Sequence, residues 1–404
     1  MLPFLLVAAL ATDTTRYVVL NHGREAGEMT VVRSGDTVAM RYQHLDRNRG
    51  SVAAHNYRFD RNGRVVFGES FSWQFGGEIG AANDRIEVGR DSATWGIAAA
   101  SRGKTVWEED MFPRLRGASV AYDQALIAKF LLARRDRRGR LMPGATPARV
   151  DVITEATVPT TTGKKRVKLV MLYTGTITTP TGVWLDDKND LFAGEIGWFI
   201  PVRVGGEAAL PALRAAEMAW RNAQGLAMAK ALPRPKDHVV VIKDGDLFDS
   251  ERGVIVPQTT IVVRGEKIVS VGAEAAAMPI PADATIIDAK GKTVMPGMWD
   301  MHGHLQHTSQ TEYGVMQLAT GLTTVRDLAS DIDVALWYRD KGNSGELLVP
   351  RSILAGFMEG PELWAGPTEV IVRTEAEAKA WVAKYDSMGY KQIKLYNVIH
   401  PDLV

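Results

Sequence analysis

The sequence predicts a multidomain chain in three parts. An N-terminal, mostly antiparallel β (α+β) domain comes first, then a small β-sandwich-like unit, then strand–helix repeats whose parallel sheet curls toward a barrel. Three observations carry this. The 404 residues suit two or three domains at roughly 100–200 residues each. Up to residue 205 the chain reads as strands broken by turn residues. From residue 293 onward, apolar strand segments alternate with helical ones, as in parallel sheets covered by helices.

Residues 2–11 are a short apolar run ending in Ala9-Leu10-Ala11, a small-x-small cleavage signal before polar Thr12-Asp13. Residues 1–11 therefore read as part of a secretory signal peptide, and the protein as exported, periplasmic or secreted. No Lys or Arg precedes the run, so a buried first strand is the alternative. No other stretch is long and apolar enough to span a bilayer.

Residues 12–205 form the β-rich domain. Residues 54–60 and 64–73 flank Arg61-Asn62-Gly63, an Asn-Gly hairpin signal. Residues 164–177 and 183–204 are further strand segments. The second contains Asp187-Lys188-Asn189-Asp190, which reads as a turn, because the glycine and closing Glu of a calcium loop are not in place. Residues 121–134 read as a helix. Residues 206–237 are a helical segment and linker. Met218, Trp220, Leu226 and Met228 are its expected packing surface, and Pro233-Arg234-Pro235 ends it. Up to residue 230 there is no P-loop, no Gly-x-Gly-x-x-Gly helix start and no Gly-x-Ser-x-Gly elbow.

Residues 238–295 form the small β unit. Residues 239–242 and 285–288 are short strands, and residues 260–263 and 267–271 flank the tight turn Gly265-Glu266. Residues 296–404 hold the repeats, their first strand beginning just upstream. Strands are expected at 293–301, 322–328, 352–356 and 392–396, with a helix at 312–320. The helix before the fourth strand is signalled by the capping pair Thr374 and Glu377, by Ala378, Trp381, Val382 and Tyr385 at helical spacing, and by Gly389 at its end.

Composition narrows the function. With 46% hydrophobic and 24% charged residues the chain is an ordinary globular protein. A net charge of +1 gives no electrostatic reason for a nucleic-acid partner. The absence of cysteine excludes disulfides, thiolate zinc sites and cysteine nucleophiles.

The chemistry is concentrated in Pro296-Gly297-Met298-Trp299-Asp300-Met301-His302-Gly303-His304. Residues two apart on a strand point to the same side. His302 and His304 at a strand's C-terminal end can thus aim two imidazoles, common metal ligands, at one place. That rim is where parallel barrels place their sites. Lys394, between Ile393 and Leu395 on an expected buried strand, is costly unless paired or snorkelling.

With Val294-Met295-Pro296-Gly297, residues 300–304, Gly321-Leu322-Thr323-Thr324-Val325-Arg326-Asp327 and Gln392-Ile393-Lys394-Leu395-Tyr396, residues 238–404 resemble the amidohydrolase (metallo-dependent hydrolase) superfamily, in its imidazolonepropionase-like and prolidase-like branch. The resemblance implies the first half of a TIM-like (β/α)8 barrel, strands one to four. It implies two divalent metals, zinc by default, with His302 and His304 on one. Lys394, carboxylated on its amine, would bridge to the other. It implies hydrolysis of a carbon–nitrogen bond in a small amide, cyclic amide or dipeptide-like substrate. Asp300, Arg326 and Asp327 would support the site, or Arg326 and Asp327 would form a structural ion pair. His307, Tyr396 and Asn397 could touch substrate. His22, His44, His55 and His238 read as ordinary histidines, and His400 as a loop residue.

The family's later histidines and its general-base aspartate would fall beyond Val404, so no catalytic base is assigned, and the chain is expected to be an inactive fragment of a longer enzyme. The alternative is an exported binding or scaffold protein with a degenerate metal site. A homo-oligomer is left open.

Overall fold

The computed structural model describes residues 12–46, 50–74, 83–97, 101–115, 120–175, 179–232, 237–305, 312–362 and 365–404. From Asp13 to Arg203, fifteen strands form one sheet. All neighbours are antiparallel except Met111–Pro113, which runs parallel to Arg138–Met142. The first strand, Asp13–Asn21, pairs with Arg24–Ser34 on one side and with Ile200–Arg203 on the other. The two ends of this domain therefore meet in the middle of the sheet.

The sheet curls around the helix Ala121–Leu132. Tyr122, Ala125, Leu126, Ile127, Ala128 and Leu131 are all buried, so the helix is enclosed on most sides. They share one core with Met29, Met40, Tyr57 and Ile86 from one arm of the sheet and Val150, Val170 and Val183 from the other. A polar bolt crosses this core. His55 is fully buried, with Nδ1 2.7 Å from Asp123 Oδ2. The Tyr57 hydroxyl donates to Asp123 Oδ1 at 2.5 Å, and burial pushes the phenol's pKa up, which keeps it a donor. Two expected turns hold. Asp60 accepts from Asn62 N and Arg64 N ahead of left-handed Gly63. Asp186 accepts from Lys188 N and Asp190 N.

The long helix, Leu210–Ala231, bears out one expectation in part, since Trp220 packs against the domain core. Its buried residues are Leu213, Glu217, Arg221 and Gly225, a stripe at i, i+4 spacing, whereas Met218, Trp220, Leu226 and Met228 are only partly covered. Arg221 donates to Glu217 and Glu195, each at 2.9 Å, and to the Pro180 carbonyl at 3.3 Å. Trp184 Nε1 donates to Glu217 at 3.2 Å. Burial pushes Glu195 up to about 7, with Arg221 opposing and Glu217 adding to the rise. A carboxyl whose folded pKa is raised contributes stability that is present below its ordinary pKa and lost as pH rises through 7. Unfolding midpoints from pH 5 to pH 8 are therefore expected to fall more steeply for the unmodified chain than for Glu195→Gln. Parallel slopes would refute this.

Residues 238–295 do not form a sandwich. Val239–Asp249, Val254–Arg264, Lys267–Val271, Thr285–Asp288 and Thr293–Val294 make one five-stranded mixed sheet. Among the described residues no second sheet covers it, and Ile255, Ile268 and Ile286 are more than half exposed. The strand expected at 293–301 is two strands. Thr293–Val294 pairs with Val239–Asp249, and Met298–Gly303 opens the next sheet. The break falls at Pro296, which has no N–H to give, and at Gly297, where a Cβ would lie 2.1 Å from Thr323 Oγ1.

Met298–Gly303, Leu322–Asp327, Arg351–Met358 and Gln392–Leu395 form a four-stranded parallel sheet in chain order. The helices Glu312–Ala319, Ile332–Asn343 and Glu375–Ser387 lie between them in sequence. Among the described residues this sheet is open and does not close into a barrel. In the last helix Thr374 accepts from Glu377 N at 3.2 Å. The Glu377 carboxylate accepts from Arg373 N, one residue before the position a capping box uses. Tyr385 packs directly on Gly356, where a Cβ would be 2.4 Å from its ring. No described helix is long and apolar enough to cross a membrane.

Candidate functional site

The C-terminal end of the first parallel strand carries His302 and His304. Their rings lie 5.2 Å apart at 81°. Asp300 Oδ1 accepts from His302 N at 3.0 Å, which fixes the turn of the strand end. Gly303 between them has no room for a side chain, since a Cβ would sit 2.5 Å from Val325. His302 is exposed and His304 half-buried.

Arg326 and Asp327 end the second strand but do not pair with each other in the structure. Arg326 Nε donates to the Met301 carbonyl at 2.7 Å, stitching the second strand to the first. Asp327 is buried and accepts from Leu305 N, Ala329 N and Ser330 Oγ at 3.4, 3.2 and 2.9 Å. Burial pushes it up to about 6 against these donors and against the charge of Lys394. Arg326 thus holds the end of the first strand, and Asp327 holds Leu305 just after His304.

Lys394 lies on the fourth strand, across the sheet. Its Nζ is 4.2 Å from the centre of the Tyr396 ring and 5.0 Å from that of Phe357, a cation–π setting that favours the ammonium. Tyr396 is half-buried edge-on to Phe357, and Asn397 is exposed. His307 lies outside the described residues. Among the described residues no cluster of three His, Asp or Glu that could hold a metal occurs. The donor set is thus two adjacent imidazoles plus a lysine. The chemistry of the pair would suit one divalent ion, and Lys394 would ligate only as its carbamate.

Sequence reasoning missed three things here. Glu359 is fully buried at the end of the third strand, where it accepts from Gly366 N at 2.8 Å and Val398 N at 2.9 Å and so joins two rim loops. The aromatic edge of Trp198, from the N-terminal domain, meets His304 with ring centres 5.6 Å apart. His22 is part of the same domain contact, whereas His44 packs within the N-terminal domain. His22 Nε2 lies 3.4 Å from Asp331, and His44 packs at 4.5 Å on Phe199. No local motif marks any of them.

No family model matches the chain. Over 164 residues it is 36% identical to an adenine deaminase of Rubrobacter xylanophilus, covering 37% of this chain and 26% of that protein. Over 148 residues it is 30% identical to the exoenzymes regulatory protein AepA of Pectobacterium carotovorum subsp. carotovorum, covering 36% and 31%. Among solved structures, a presumed prolidase from Bifidobacterium longum shares 27% identity at a TM-score of 0.36, over 41% of this chain and 42% of that one. Over part of its length the chain is thus similar to an adenine deaminase and to a presumed prolidase. The matched segments span about a quarter to a third of these curated relatives.

Proposed function

We propose that this chain carries the metal-binding front half of an amidohydrolase-type enzyme that hydrolyses a carbon–nitrogen bond in a small amide or dipeptide-like substrate. The observation that carries this is the His302–His304 pair, side by side at the C-terminal end of the first strand of a parallel sheet. His302 and His304 would hold one divalent ion, zinc by default. Lys394 would lose its ammonium proton, form an N–C bond to carbon dioxide with release of a second proton, and as a carbamate would offer oxygen ligands to a second ion. Bound metal supplies an acidified water and a polarised carbonyl. Arg326 and Asp327 keep the strand end and the following loop in place around the pair. Tyr396, half-buried beside Lys394, would border the substrate. The bared Trp299 and Met301 of the first strand, 54% and 50% exposed, support further protein covering this sheet.

A second reading, an exported binding protein with a degenerate site, is favoured by one observation: Lys394 lies over two rings that suit an ammonium better than a carbamate. Elemental analysis of the full gene product, with its intact mass, separates the two. About two zinc-type ions per chain, and a mass above that of 404 residues, are expected. A metal-free protein would leave only the second reading.

A further inference from the structure

The N-terminal domain sits on the rim that carries the histidine pair. Its β-turn residue Arg24 donates to the carbonyls of Gly366 and Thr368, at 3.1 and 3.4 Å, in the loop after the third parallel strand. His22 reaches Asp331 after the second strand, and Arg214 of the long helix pairs with Asp331 and Asp333 at 3.3 and 2.7 Å. Trp198 meets His304 after the first. Three successive rim loops are therefore each held by the same domain.

The segment that presents Trp198 is rigidly mounted. Ile196 is buried in the core beneath it. Glu195 is fixed by Arg221 at 2.9 Å. Gly194 passes so close to Pro201 and Ala121 that a Cβ would be 2.9 and 3.0 Å away. Beyond Trp198, Phe199 stacks on His44, and His44 on Tyr42 at 5.5 Å. Burial lowers the pKa of His44, with Asp46 opposing, so this ladder favours a neutral imidazole. Trp198, next in the chain to Phe199, is half-exposed and meets the candidate metal ligand His304.

We propose that Trp198 is a specificity-determining wall of the substrate site, selecting a bulky apolar side chain beside the scissile carbon–nitrogen bond. This rests on the hydrolase reading above. A flat indole fixed beside one metal ligand gives an apolar group a surface to bury against, and gives a glycine-like substrate nothing. The role assigned to the N-terminal domain is then to complete the pocket.

The test uses the zinc-loaded full gene product, a panel of dipeptides and N-acyl amino acids in which phenylalanine replaces glycine, and the variants Trp198→Ala and Trp198→Phe. In Trp198→Ala the phenylalanine-to-glycine ratio of kcat/KM is expected to fall about tenfold, carried by KM, with zinc content unchanged. Trp198→Phe should keep most of the preference. With cobalt(II) in place of zinc, quenching of tryptophan emission should shrink in Trp198→Phe. Turnover with an unchanged ratio overturns the wall and leaves the hydrolase intact. A protein that binds no metal and turns over no member of the panel overturns both.

Discussion

Replacing His302 with alanine is expected to remove the metal and, with it, metal-dependent turnover in the full gene product, by at least about a thousandfold. The figure follows from the several kcal/mol a bound ion contributes to a developing oxyanion and its water, at about 1.4 kcal/mol per factor of ten. The fold should survive, because His302 is exposed and the hydrogen bond at this strand end uses its backbone N–H, which alanine keeps. His304→Ala is expected to lose as much activity. It should also release the edge of Trp198, so its tryptophan emission should change even without metal. Elemental analysis and thermal unfolding check both variants. Full activity in His302→Ala would remove the histidine pair from the reaction.

The second large effect is structural. Asp123→Ala is expected to destabilise the N-terminal domain by about 3–5 kcal/mol, the usual cost of leaving a buried polar partner alone. Asp123 is the shared carboxylate partner of His55, at 2.7 Å, and of the donating Tyr57 hydroxyl, both inside the core. Substituting His55 and Asp123 by leucine together with Tyr57→Phe should recover much of that loss, since the three apolar side chains ask for no partner. Urea unfolding followed by circular dichroism measures this. An Asp123→Ala domain as stable as the original would show that the bolt contributes nothing.

What could be read from the sequence was local. The histidine segment, the Asn-Gly hairpin, the Asp187–Asp190 turn and the Thr374 cap each occupy a few consecutive residues, and each has one physical meaning wherever it occurs. The helix Ile332–Asn343 escaped notice because its buried side is only Val334, Ala335 and Tyr338, followed by Arg339, Asp340 and Lys341. The long helix misled for the opposite reason. Its large apolar residues mark a packing surface, yet Glu217 and Arg221 are among the fully buried ones and satisfy each other. The expected sandwich became one layer because neighbouring strands alone do not specify what covers them. The contact of Trp198 with His304 joins residues more than a hundred apart, and nothing in either segment announces the other.

The sheet order also sets a schedule. Tyr17 to Leu20 wait for residues 200–203 as their second strand partner, so the first strand made is among the last to be enclosed. While the ribosome works through the intervening segments, that strand shows an open edge to its surroundings. Such distant pairing makes for slow folding. A domain that cannot close early stays threadable for longer.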